Sequence, residues 1–119
     1  MIRLLRVLLV LETATFVTAA LIHFGNLVEG YRHQAAATGE SVIAVVLLCG
    51  LALSWRWPTQ AVIASQAFAT LGVLVGLMTI AIGVGPRTVP DIAYHVGILI
   101  TLIVGLAIAV RTRSARKSP

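Results

Sequence analysis

Residues 88–110 read Thr88-Val89-Pro90-Asp91-Ile92-Ala93-Tyr94-His95-Val96-Gly97-Ile98-Leu99-Ile100-Thr101-Leu102-Ile103-Val104-Gly105-Leu106-Ala107-Ile108-Ala109-Val110. One acid, Asp91, stands at the front of this stretch, and no other Asp, Glu, Lys or Arg interrupts it. Thr88 to Asp91 has capping-box spacing: the Thr side chain can accept from the backbone N–H three residues on, while the acid reaches back. Pro90 suits the first helical turn, where a missing N–H costs nothing. From Asp91 to Val110 the run reaches the roughly 20 apolar residues that cross the hydrocarbon of a bilayer. It predicts a membrane-spanning helix.

Three more such runs precede it, at about Leu4 to Phe24, Ala35 to Trp55 and Gln60 to Gly83. The breaks carry loop chemistry: Gly25-Asn26 and Gly30, then Trp57-Pro58, then Gly83-Val84-Gly85-Pro86 before Pro90. Short breaks make consecutive helices neighbours. The expected fold is therefore an all-α, four-helix up-down transmembrane bundle in a single domain spanning residues 1–119, with a basic tail over 111–119. The first run also resembles a secretory leader, with Arg3 and Arg6 as its basic n-region and Val17-Thr18-Ala19-Ala20 as a cleavage site. Its apolar stretch continues to Phe24, beyond the roughly 7–15 residues of a leader, so a retained helix is expected.

Composition agrees. Of 119 residues, 59% are hydrophobic and 11% charged, and mean hydropathy is +1.00. Globular chains average roughly 25% charged residues, so ordinary soluble enzymes, disordered chains and disulfide-rich modules are excluded. Cys49 is the one cysteine; it forms no internal disulfide or CxxC pair and is expected as a small buried filler in the second helix. The net charge of +5 does not point to nucleic acid, because of where the charges fall. Arg3, Arg6, Arg56, Arg111, Arg113, Arg116 and Lys117 lie at the end that holds both termini, and Arg32 and Arg87 at the other. Basic residues favour the cytoplasmic side. The expected location is the cell membrane, N-in and C-in, with Trp55 and Trp57 at the inner boundary and the tail against anionic lipid.

Small residues form two ribbons, Gly72 with Gly76 in the third span, preceded by Ala61, Ser65 and Ala69 at the same spacing, and Gly97, Thr101 and Gly105 in the fourth. Such ribbons let helix backbones approach closely, within the bundle or across a homodimer.

Ionisable residues inside a membrane are costly and mark partners or cavities. They fall in two layers. Glu12 lies about 12 Å above the inner boundary, and Gln66 and Cys49 about 9 Å deep. Glu12 is expected to hydrogen-bond Gln66, with Thr13, Thr15 and Ser65 as further candidates. The outer layer holds His23, Glu40 and His95 in the spans, with Thr79 at the same level. Glu29, Arg32, His33, Arg87, Asp91 and Tyr94 lie in or beside the outer loops. Three chemistries suit that layer. His23, Glu40 and His95 can supply a divalent metal with a facial triad. The two histidines can ligate a haem from opposite faces. Histidine with acid can bind a quinone head and exchange its protons. Interfacial pairing of these groups with Arg32 and Arg87 is the structural alternative. No HExxH, CxxCH or ExxH motif selects among them.

Two segments carry a resemblance. Leu4-Leu5-Arg6-Val7-Leu8-Leu9 opens a first helix that ends at His23-Phe24-Gly25. Glu40-Ser41-Val42-Ile43-Ala44-Val45-Val46-Leu47-Leu48-Cys49-Gly50-Leu51 forms an acid-led, leucine-rich second helix. With four helices and a basic tail, the chain resembles the DoxX-like group of small membrane proteins. It departs from that group where Ala19-Ala20-Leu21-Ile22-His23 replaces a Gly-x-x-Lys-like pattern. The resemblance implies a setting of quinone-linked sulfur oxidation or membrane redox complexes, and points to Arg6, His23 and Glu40. The leading expectation is a redox-associated membrane protein with a quinone-like or other amphipathic ligand handled by His23, Glu40, His95, Glu12 and Gln66. The alternatives are a non-catalytic subunit of a larger membrane complex and a dimeric proton-coupled transporter using Glu12.

Overall fold

Each apolar run becomes a helix, and each Gly, Pro or Trp-Pro break becomes a connection. The computed structural model, which describes Met1–Ser118, has α1 at Ile2–Phe24, α2 at Gln34–Leu53, α3 at Pro58–Ile82 and α4 at Val89–Lys117. No strand occurs among the described residues. All four helices are long and apolar enough to cross a membrane.

The ends follow local chemistry. α1 stops at Gly25, whose φ of 85° is left-handed, a conformation that costs glycine little. α4 opens with the expected capping box: Asp91 N–H donates to Thr88 Oγ1 at 3.3 Å, and Thr88 N–H donates to Asp91 Oδ2 at 3.2 Å. All helix boundaries but Phe24 shift from the sequence reading, most by one or two residues. α2 ends at Leu53, short of Trp55, because Ser54 caps it and its hydroxyl bonds Leu51 O at 2.7 Å. Pro58 then disfavours helix at the residue before it. The basic segment expected as a tail from Arg111 is helical through Lys117. α4 is therefore about 43 Å long by helical rise, more than the roughly 30 Å of bilayer hydrocarbon requires.

α1 packs most closely on α2, α3 on α4, and α2 on α3, while α1 and α4 touch least among neighbours. The bundle is thus a ring with one loose seam. Its interior holds Leu5, Leu9, Phe16, Leu47, Val62, Ala69, Val73, Ile98 and Leu102. Large apolar side chains also cover the outside, including Val10, Leu11, Val45, Leu48, Leu71, Val75, Ile100 and Ile103. A water-soluble bundle places polar residues there. Cys49 lies on this outer face and is exposed, contrary to the buried position expected. Apolar residues cover all sides of α2, so its pattern did not mark the inward one.

The glycines divide by the face they occupy. A Cβ on Gly72 would meet Ile43 Cδ1 at 2.7 Å, and one on Gly105 would meet Gln66 Oε1 at 3.2 Å. Gly50, outside the two ribbons, lets α2 lie against Ser65 and Ala61 of α3. Gly97 has nothing within 4 Å and points outward, as does Thr101. Gly97-Thr101-Gly105 is therefore not one packing face. At about 100° per residue, a spacing of four drifts some 40° per step, which carries Gly97 away from the contact that Gly105 makes.

Candidate functional site

The up-down order brings the C-terminus of α1, the early turns of α2 and the N-terminus of α4 to one end of the bundle. There His23 occupies the centre of a buried chain of three ionisable groups. Its Nδ1 lies 2.9 and 2.8 Å from the two carboxylate oxygens of Glu40, and its Nε2 lies 2.9 Å from Asp91 Oδ1. His23 is 2% exposed, Glu40 5% and Asp91 6%. Both ring nitrogens face carboxylate oxygens, so the chain needs one proton in each link; an imidazolium supplies both, as does a neutral ring with one protonated carboxyl. Asp91 is held on its other side by Thr88, whose hydroxyl and N–H both donate to Oδ2. Capping geometry and site geometry therefore share one carboxylate.

His95 stands apart from this chain. Its Nδ1 donates to Asp91 O, one turn back, at 2.7 Å, which leaves Nε2 on the far side of the ring. That nitrogen nestles against α3 where Gly76 has no side chain: a Cβ there would sit 3.0 Å from it. The grouping of His23, Glu40 and His95 as a metal triad is thus corrected. Asp91 takes the place expected of His95, both nitrogens of His23 are engaged by carboxylates, and no cluster of three His, Cys, Asp or Glu among the described residues is arranged to hold a metal ion. The pairing of outer acids with Arg32 and Arg87 is not seen either. Arg87 Nε donates to Ile80 O at 3.2 Å, closing the end of α3, and Arg32 lays its stem over Gly25. Both ion pairs among the described residues belong to His23. His33 ties the outer loops together, accepting from Ala36 N–H at Nδ1 and donating from Nε2 to Val84 O at 3.1 Å.

Two cavities flank the chain. The larger, about 530 Å³, lies in the loose seam between α1 and α4. Leu11, Ala14, Thr15, Thr18 and Ala19 form its α1 wall, and His23, Asp91 and Tyr94 its polar end. From Leu11 to His23 it runs about 18 Å along the helix. The smaller, about 320 Å³, lies on the α2–α3 side and includes Glu40, Gly72, Gly76, Thr79 and His95. Tyr94 lines both. Its ring meets Phe16 edge-on at 6.2 Å and His95 at 5.1 Å, and its hydroxyl is buried with no hydrogen-bond partner.

A second polar layer lies three turns down α1. Gln66 Nε2 donates to Glu12 Oε2, joining α1 to α3 as expected from their depths. Glu12 Oε1 and Gln66 Oε1 are buried without partners. Ser65 turns to its own helix, bonding Ala61 O at 2.9 Å, and Thr13 bonds Leu9 O. Phe16, 1% exposed, lies one turn above Glu12 and separates this layer from the outer chain.

Two features escaped the sequence reading. The first is the contact of Asp91 with His23; Asp91 reads from sequence as a cap and as a member of the outer polar layer, with no partner assigned. The second is a seal at the other end, where Arg6 donates from Nε to Ser54 Oγ at 3.0 Å and from Nη2 to Ser54 O at 2.9 Å. The Arg6 guanidinium also lies 4.3 Å from the Trp55 ring centroid. An arginine near a helix start reads as an orientation signal, which hid this contact. No protein-family model, curated protein or solved structure matches the chain.

Proposed function

We propose that this is an integral protein of the cell membrane, with both termini cytoplasmic, whose α1–α4 groove binds a quinone-like amphiphile beside a proton-holding His23–carboxylate chain. Insertion is supported by apolar side chains on the outer faces of all four helices, which in water would form patches far larger than monomers expose. Orientation is supported by the basic residues gathered at the end that holds both termini.

The observation that carries the ligand reading is the groove itself. It is about 530 Å³, within the usual range of small-molecule sites, and runs from an apolar α1 wall to a polar end at His23, Asp91 and Tyr94. Leu11, Ala14, Thr15 and Thr18 are exposed, so the apolar wall faces outward, toward lipid in an inserted bundle. An apolar tail lies along it, and a polar head stops where the buried chain begins. Glu40 and Asp91 hold the imidazole in one orientation from both sides, leaving protons in the chain one step from the head. The layout shared with the DoxX-like group supports a redox-associated setting for such a ligand.

The test is purification in mild detergent, extraction for quinone, and titration with added quinone. Binding by the wild-type chain that is lost in His23→Ala and Glu40→Gln is expected. Unchanged binding in both variants sinks the assignment. A stoichiometric protein partner recovered without any bound amphiphile favours the non-catalytic subunit reading.

A further inference from the structure

Resting on the groove reading above, we infer that Tyr94 selects the ligand: its hydroxyl is the donor that meets an acceptor-only oxygen, such as a ring carbonyl, on the head of the amphiphile. Accounting for donors in the groove leads there. Thr15 Oγ1 donates to Leu11 O and Thr18 Oγ1 to Ala14 O, each at 2.8 Å. Both His23 nitrogens face carboxylates, and Asp91 accepts from His23 and Thr88. Tyr31 sits in the outer connection, partly exposed, where water satisfies it. Among the described residues, Tyr94 Oη is the buried side-chain donor with no acceptor.

A buried hydroxyl without a partner is destabilising and calls for a reason. Here the reason is positional, because Tyr94 is the residue shared by both cavities. Packing between Phe16 and His95 holds its ring, so the hydroxyl is placed by its neighbours rather than by a bond of its own. A head whose sole polar group is an ammonium brings donors and no acceptor, and so leaves Tyr94 Oη unmet. A carbonyl head brings the acceptor that is missing.

The experiment uses the full chain in detergent and two probes with the same decyl tail, a decyl-substituted benzoquinone and decylbenzene. Wild type is expected to bind the quinone more tightly. Tyr94→Phe is expected to weaken quinone binding about tenfold, the scale of one lost hydrogen bond, and to leave decylbenzene unchanged. The infrared carbonyl stretch of bound quinone, lowered by the hydrogen bond in wild type, should return toward its free position in Tyr94→Phe. Because the hydroxyl bonds nothing in the fold, the variant should unfold at no lower temperature than wild type. Equal quinone affinity and an unmoved carbonyl stretch in the two proteins overturn the role of Tyr94 while leaving the groove standing. Failure of wild type to bind either probe overturns the groove reading and this inference with it.

Discussion

His23 Nε2 and Asp91 Oδ1, 68 residues apart in sequence, lie 2.9 Å from each other. Among the described residues this is the side-chain hydrogen bond that joins α1 to α4, and it crosses the loosest seam of the bundle. One contact therefore closes the ring of helices and forms the polar end of the groove.

Cutting that contact should affect stability as well as binding. His23→Ala leaves Glu40 and Asp91 buried without the imidazole, and breaking a buried pair from one side costs about 3–5 kcal/mol. Thr88→Ala removes a cap and is expected to cost about 1 kcal/mol. Detergent-denaturation midpoints of the two variants should rank in that order. Equal midpoints would show that the His23 chain does not hold the seam.

The Glu12–Gln66 layer is expected to behave as a unit. Gln66→Leu strands a buried carboxyl without its donor, at about 1–3 kcal/mol or more. Replacing both partners, Glu12→Leu with Gln66→Leu, removes the stranded group and should recover much of that loss. Unfolding of the two single variants and the double variant closes the cycle. A double variant as damaged as the sum of its parts contradicts the coupling.

Two glycines in apolar helices should respond differently to alanine. Gly76→Ala puts a methyl 3.0 Å from His95 Nε2, forcing the ring or the helix to shift at about 1–3 kcal/mol. Gly97→Ala meets nothing within 4 Å and should stay within about 0.5 kcal/mol of wild type. Thermal stability of both variants in one detergent is the measurement. A destabilised Gly97→Ala would point to contacts beyond the single chain.

Cys49 offers a direct check on insertion. It is exposed on the bundle yet lies inside an apolar helix. In intact membranes a water-soluble maleimide should leave it unlabelled, while an apolar maleimide or prior denaturation should expose it. Ready labelling by the soluble reagent in intact membranes argues against burial in lipid. Ser118→Cys and Asn26→Cys, at opposite ends, should label from opposite sides of sealed vesicles, with Ser118→Cys reached from the cytoplasmic side.

The four apolar runs and the punctuation between them determine the helices, because a long apolar run bounded by Gly, Pro and capping residues leaves the helix as the way to satisfy its own backbone. The capping box at Thr88 and Asp91 and the Glu12–Gln66 partnership were also legible, the first from local spacing and the second from depth along antiparallel helices. What tertiary structure decided is rotation. Helices this uniformly apolar carry little record of which side faces inward, so sequence could place Cys49 inside when it lies outside, and His95 beside His23 where Asp91 stands. Residues at one depth can lie on opposite sides of a helix. Which carboxylate reaches His23, which glycine receives a neighbour, and which seam stays open depend on side-chain packing among four helices at once.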